Sequence, residues 1–333
     1  MTVLKEPFYS NFTIREQVYK KHQMLQRAMT RLYPGNLVLS IESDILNYRL
    51  MELVKNTSFL EEGDNEGMLG DKMCVPFGKI LRGVRIPGCV TKELDTEKLY
   101  CADMSGFIIR EFQDYADLRT QIRTIKSFCR PVILVDDLYH KGYRMAGIDT
   151  YLADEQVKIK KLIVGVMSGN GRDLAAIHDK CVESVYFVPN MRAWFMEAEL
   201  YPFIGGDGIE KKQQKKKYLS MMPSINAILP YHLPHFVRDA SLEAIYFLAE
   251  QCIKNTYDIF RTLEREYQEY TGRKLTISRI GEVIREPRYP DIFDEAIFEK
   301  NEALTVYIDY ELKRLERMKN IMYYGRERKN GCE

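Results

Sequence analysis

Arg130-Pro131-Val132-Ile133-Leu134-Val135-Asp136-Asp137-Leu138-Tyr139-His140-Lys141-Gly142-Tyr143-Arg144 decides the fold class of this chain. Val132 to Val135 form an unbroken branched apolar run between a proline and two acids, the pattern of a short strand buried on both faces of a parallel sheet. The strand is expected to end at the acids. Ligands of open α/β sheets sit in the crevice beyond the carboxyl ends of the strands, which places Asp136 and Asp137 at its rim. Gly142 permits a tight turn, and a helix-like stretch from Arg144 to Leu152 would offer free N–H groups to an anion. His140, Lys141 and Arg144 add positive charge there. Two acids that can hold sugar hydroxyls or a cation, followed by a basic, glycine-containing turn, describe a sugar-phosphate site. In the competing reading the acids only cap the next turn.

The flanks repeat one rhythm. Before the diacid strand, Tyr115 to Phe128 has Leu118, Ile122 and Ile125 on one helical side. After Leu152 come a strand over Ile159 to Met167, a helix over Gly171 to Lys180 and a strand over Ser184 to Val188. Upstream, Asn36 to Ile41 reads as a strand and Glu42 to Lys55 as a helix opened by Ser43 and Asp44. Such β-α-β spacing predicts a parallel, doubly wound α/β sheet with right-handed crossovers. Val75-Pro76-Phe77-Gly78-Lys79-Ile80-Leu81-Arg82-Gly83 reads as a strand-turn with two cations, and Ser168-Gly169-Asn170-Gly171-Arg172 as a glycine loop between strand and helix. Each could bind an anion or serve only as a connector.

On these residues the stretch resembles the phosphoribosyl pyrophosphate signature of type I phosphoribosyltransferases. There an apolar strand, here Val132 to Val135, runs into two acids and a short loop, here Leu138 to Arg144 with Gly142 in the glycine place. The resemblance implies a sheet of phosphoribosyltransferase type and a nucleotide-forming or nucleotide-cleaving enzyme, a glycosyltransferase acting on pentosyl groups. It implies Asp136 and Asp137 as the catalytic acids on the ribose hydroxyls, and His140, Lys141, Gly142, Tyr143 and Arg144 around the 5-phosphate. Lys79 and Arg82 would meet the pyrophosphate, whose magnesium ion travels with the substrate, and Trp194 or Phe203 would flank the nitrogenous acceptor. Lys92, Lys98 and Arg110 are further phosphate candidates. The family's small hydroxyl residues are replaced here by His140, Lys141 and Arg144. That departure leaves a second expectation, a module that senses a nucleotide or sugar phosphate without turnover and signals through its C-terminal helices.

Composition narrows the classes. At 333 residues with a formal charge of +1, the whole-chain balance calls for neither nucleic acid nor an anionic membrane. The seven cysteines form no Cys-x-x-Cys pair, as expected of reduced thiols in a cytoplasmic protein rather than a disulfide framework or a zinc site. No apolar run is long enough to span a membrane. A Gly-x-x-x-x-Gly-Lys-Ser/Thr loop is missing, against a P-loop hydrolase, and Asp137-x-x-His140-x-Gly142 lacks the spacing of a cobalamin module. A receiver domain shares the Asp-Asp strand, but here that strand lies deep in a continuous α/β region.

The expected organisation is a helical extension over 1–34, an α/β domain over 35–209, a basic linker over 210–240 and a helical region over 241–333. Glu61 to Lys72, with five acids and three glycines, is expected to be a mobile loop. Ser241 to Tyr270 and Asp294 to Tyr323 keep helical apolar spacing, and two such helices would pair with each other or with those of a second copy in a homo-oligomer.

Overall fold

The computed structural model describes residues 3–59, 70–103, 105–112, 115–210, 221–222, 224, 237, 239–290 and 298–330, with side chains to 322. Most of the expected loop at 61–72 and most of the basic linker at 210–240 lie outside the described residues. The chain divides into two compact units, one formed by 1–40, 100–106 and 195–333, the other by 41–99 and 107–194. The first helix, α1 (Phe12–Leu32), belongs to the first unit.

The second unit is the α/β body. Its elements are α2 (Ser43–Asn56), β1 (Met73–Pro76), β2 (Val90–Thr91), β3 (Thr96–Tyr100), β4 (Phe107–Glu111), α3 (Leu118–Ser127), β5 (Val132–Tyr139), α4 (Tyr143–Asp154), β6 (Ile159–Ser168), α5 (Gly169–Ile177) and β7 (Val182–Val188). Five strands form a sheet in the order β2-β1-β5-β6-β7, every described pairing parallel. The predicted parallel α/β sheet is therefore present, with helices on both faces. Alternation along the strands explains the two layers. Val75, Val132, Leu134, Leu162 and Val164 pack with Ile122 of α3, Met145 and Ile148 of α4 and Ala175 of α5. The residues between them, Cys74, Ile133, Val135 and Ile163, pack with Leu46, Leu50 and Val54 of α2. A strand whose successive side chains are all buried has no polar face, which is why the diacid strand reads as an unbroken apolar run.

Several boundaries differ from the sequence reading. The diacid strand continues through the acids to Tyr139, because β6 pairs with it as far as Tyr139 opposite Met167. Ser168 to Arg172 is not a loop: Ser168 ends β6 and caps α5 directly, its side chain accepting the Gly171 N–H. No strand forms over Asn36 to Ile41, where Leu37 and Leu39 are 83% and 60% exposed, while Val38 packs on the helical core and Ile41 on the core beneath α2. Ser43 and Asp44 lie inside the first turn of α2, whose cap is Glu42 without a side-chain bond.

The first unit is helical. α1 packs with α6 (Leu242–Thr271), and the short α7 (Ile280–Val283) and the long α8 (Leu304–Asn330) complete it. Leu25, Ala28 and Leu32 share one core with Ile245, Leu248, Cys252, Ile259 and Leu263 of α6 and with Leu304 and Ile308 of α8. Ser241 caps α6 by accepting the Ala244 N–H, and Gly272 closes it at φ +69°, as its position after Thr271 suggested. The last helix starts at Leu304 rather than Asp294. Glu264 fixes that start by accepting the amide and the hydroxyl of Thr305 at 3.1 and 2.9 Å. Residues 298–303 precede it without helix, and 294–297 lie outside the described residues. Among the described residues no helix is long and apolar enough to cross a membrane.

Candidate functional site

The strand order reverses between β1 and β5, the two strands on which the chain is wound in opposite directions. A crevice opens beyond the carboxyl ends of the strands at such a point. β1 delivers Phe77 and Gly78 there, and β5 delivers Asp136 and Asp137. Beyond β1 the Phe77 amide still donates to the Val135 carbonyl at 2.8 Å, so the two chain segments stay joined alongside the acids.

Arg144, in the first turn of α4, closes this corner. Its Nη1 donates to Oδ1 of Asp136 and, at 2.6 Å, to Oδ1 of Asp137. Its Nη2 donates to the Phe77 carbonyl at 2.9 Å, and its guanidinium lies 4.5 Å above the Phe77 ring. The Asp137 amide donates to Asp136 Oδ1 at 2.8 Å. Gly78 turns away at φ +80°, and a Cβ there would come within 2.5 Å of Arg144 Nη2, so the close approach of arginine and backbone requires glycine. The guanidinium expected at the 5-phosphate thus has the diacid, the end of β1 and an aromatic face as partners.

The two acids are electrostatically unequal. Asp136 is 2% exposed, and burial pushes its pKa well above the usual carboxylate value, Arg144 opposing and Asp137 reinforcing the rise. Burial also pushes Asp137 up, but the charge of Arg144, the hydrogen bond with Asp136 and the nearby charge of Lys98 bring it below the ordinary value. One cation between two carboxylates gives a pair in which one member ionises readily and the other resists.

The connector from β5 to α4 is only His140, Lys141 and Gly142. Gly142 adopts φ +68° and leaves α4 without a side-chain cap, which suits an N-terminus meant for an anion. His140 Nδ1 stands 2.6 Å from Ser168 Oγ, the oxygen that also accepts the Gly171 N–H. Burial, and then the charge of Lys141, push the His140 pKa down, so the ring is a neutral partner of Ser168 at pH 7. The connector's cation is Lys141, which is exposed, as is Tyr143.

The other sequence candidates spread out. Lys79 is half-buried in the turn after Gly78. Arg82 lies 4.6 Å over the Phe112 ring, bonds the Tyr115 hydroxyl at 2.9 Å and pairs with Asp95 at 3.5 Å. Burial raises the Asp95 pKa against the pull of Arg82. Arg110 donates through Nε to the buried Glu97 at 2.9 Å, and Lys92 pairs loosely with Asp95 at 3.9 Å. Trp194 is half-buried on the segment after β7, its indole N–H enclosed without a hydrogen-bond partner among the described residues. Phe203 belongs to the first unit, fully buried edge-to-face against Phe260 and Phe298. It is a core residue, as aromatics that find aromatic neighbours usually are. The roles of the Phe77 carbonyl and of Ser168 were not legible. A β-strand carbonyl carries no sequence signal, and Ser168 shows itself only as the small polar residue before Gly-x-Gly.

No protein-family model and no curated protein matches the chain. Among solved structures, it is similar to a purine phosphoribosyltransferase from Pyrococcus horikoshii at 14% identity, covering 48% of this chain and 89% of that one, with a TM-score of 0.26. An adenine phosphoribosyltransferase from Thermoanaerobacter pseudethanolicus is similar at 13% identity over 44% and 82%, TM-score 0.26. The AQ2163 protein from Aquifex aeolicus is similar at 12% identity over 55% and 84%, TM-score 0.29.

Proposed function

We propose that the α/β unit binds a phosphorylated ribose beyond β1 and β5 and transfers it from a pyrophosphate donor to a nitrogenous acceptor. The observation that carries this reading is the unequal diacid, anchored by Arg144 where the strand order reverses. Arg144 takes Oδ1 of each acid, and Asp137, the more open and more readily ionised of the two, offers Oδ2 to a ribose hydroxyl. Its negative charge favours the cationic ring that develops as the glycosidic bond breaks. The uncapped start of α4 and Lys141 receive the 5-phosphate, and Lys98, whose charge acts on Asp137, and Lys79, in the turn after Gly78, are candidates for the pyrophosphate. Among the described residues no three His, Cys, Asp or Glu side chains are grouped to hold a metal. Magnesium would be carried by the oxygens of the pyrophosphate.

A second reading, a sensor that binds the ligand without turnover, is favoured by one feature. His140, Lys141 and Arg144 stand where a transferase loop of this type has small hydroxyl residues, and Arg144 is already engaged by the acids.

Calorimetric titration of the full chain with phosphoribosyl pyrophosphate, with and without magnesium and beside ribose 5-phosphate, tests both. Magnesium-dependent binding that prefers the pyrophosphate, weakened roughly tenfold or more in Asp137→Asn through loss of a charged hydrogen bond, is the expected result for a transferase. Weakening in Lys141→Ala, an exposed position whose truncation leaves the fold intact, would place the phosphate at the connector. Equal binding of ribose 5-phosphate with no turnover would favour the sensor. Unchanged affinity in both variants would remove the ligand from this site.

A further inference from the structure

The helical unit holds a second, separate constellation of reactive side chains. His22, in the middle of α1, has a partner on each ring nitrogen. Glu197 Oε2 lies 2.7 Å from Nδ1, and Ser40 Oγ lies 2.7 Å from Nε2. A carboxylate only accepts hydrogen bonds, so in the neutral ring Nδ1 carries the proton and Nε2 turns its lone pair toward the serine hydroxyl. A nucleophile within reach of a base, with the base oriented by a third group, is the arrangement that activates a serine.

The third group is itself fixed from beneath. Glu197 Oε1 accepts from the hydroxyl of Tyr201 at 2.8 Å. Tyr201 is fully buried, and burial, followed by the charge of Glu197, drives its pKa far above the phenol value, so it stays a donor. The Tyr201 oxygen accepts from Nδ2 of Asn255 at 3.2 Å. The same amide donates to the carbonyl of Lys21 at 3.0 Å, the residue before His22, and its Oδ1 accepts from Gln251 at 2.8 Å. Asn255, also fully buried on α6, therefore joins the segment of α1 that carries the histidine to the phenol that holds the glutamate. Each polar atom of that amide has a partner, which such a buried network needs in order not to cost stability.

The simpler role is a polar clasp that fastens Ser40 to α1. A clasp requires one hydrogen bond, worth about 0.5–1.5 kcal/mol. It requires neither a carboxylate on the opposite nitrogen nor a buried phenol and amide supporting that carboxylate. Ser40 is exposed, and the neighbouring Leu37 and Leu39 present apolar surface beside it.

We propose that Ser40, His22 and Glu197 form an acyl-transfer centre that hydrolyses carboxylic esters with a small apolar acyl group. Ser40 is the nucleophile, His22 the general base and then acid, and Glu197 a positioning residue. Ser40 Oγ attacks the ester carbon while its proton passes to His22 Nε2. The bond to the alcohol oxygen breaks, and that oxygen leaves with the proton from Nε2. Water then attacks the acyl-serine, giving a proton to Nε2, and the serine oxygen departs and recovers it. The sum is ester and water to acid and alcohol.

The test is labelling of the full chain with a fluorophosphonate, with the modified serine located by peptide mass mapping. Ser40 is expected to react faster than every other serine in the molecule. His22→Ala should slow that reaction by about 100-fold or more, the usual share of a general base, and added imidazole should restore part of it. Glu197→Gln should slow it while thermal unfolding stays unchanged, and 4-nitrophenyl acetate should acylate Ser40 in the unsubstituted protein. A Ser40 that reacts no faster than other exposed serines, or as fast in a folded His22→Ala as without the substitution, overturns the proposal. The comparison among serines within the unsubstituted protein holds even where a variant fails to fold.

Discussion

Replacing Arg144 with methionine is expected to lower the unfolding free energy of the α/β unit by about 3–5 kcal/mol at neutral pH, the cost of removing one partner from a buried ion pair. Methionine keeps much of the volume over Phe77 but leaves Asp136, Asp137 and the Phe77 carbonyl without the donors that Arg144 supplies. The pH dependence follows from the two acids. Asp137 has a lowered pKa in the folded state, so its contribution is present above the unfolded value and is lost as pH falls through the folded one. Asp136 has a raised pKa, so it works in the opposite sense: its contribution is greatest below the unfolded value and is lost as pH rises through the folded one. Without Arg144 both acids move up, and protonation relieves the unpaired charge. The deficit of the variant should therefore shrink as pH is lowered from about 7 towards about 5. Urea unfolding followed through Trp194, the sole tryptophan, measures this. A deficit below about 1 kcal/mol, the value of an exposed pair, would show that the corner is not held by this arginine.

Alanine at Gly171 is expected to cost about 1–3 kcal/mol, in the range of overpacked interiors, and to weaken ligand binding at the diacid as well. A Cβ at this position would stand 2.1 Å from the carbonyl oxygen of Tyr139. Backbone cannot rotate aside as a side chain can, so the start of α5 must withdraw from the end of β5. The Ser168 hydroxyl that accepts the Gly171 N–H also meets His140, so the connector between diacid and α4 moves with it. Gly106→Ala is the control, since a Cβ there has nothing within 4 Å and the glycine needs no left-handed backbone. It should stay within about 0.5 kcal/mol of the parent, as surface changes do. If the two variants unfold alike, the close approach of α5 to β5 is not a constraint.

What the sequence shows follows from the range of the forces involved. A strand buried on both faces has to be apolar at every position, so Val132 to Val135 announces a parallel sheet, and the acids after it mark the site. Where that strand ends is decided by β6, through the pairing of Tyr139 with Met167, and no local pattern carries that information. Leu37 and Leu39 alternate like a strand but find no neighbouring strand among the described residues, and an unpaired strand does not persist. Arg144 was legible as a cation near the diacid, whereas its partner was not, because a phosphate and a carboxylate ask the same of a guanidinium. His22, Ser40 and Glu197 lie too far apart in the chain for any spacing rule, and only the packing of α1 with α6 brings their neighbourhoods together.

The division into units also orders events in time. All of the α/β body has left the ribosome once Trp194 has, so its sheet can close while the rest of the chain is still being made. α1 precedes the α/β body in the chain and waits longer than it for its partners. Its apolar positions Leu25, Ala28, Met29 and Leu32 have no core to enter until α6 emerges, more than two hundred residues later. For that interval an amphipathic helix waits beside a finished neighbour in the chain, and the helical unit, whose pairing spans the greatest sequence distance, is expected to close last.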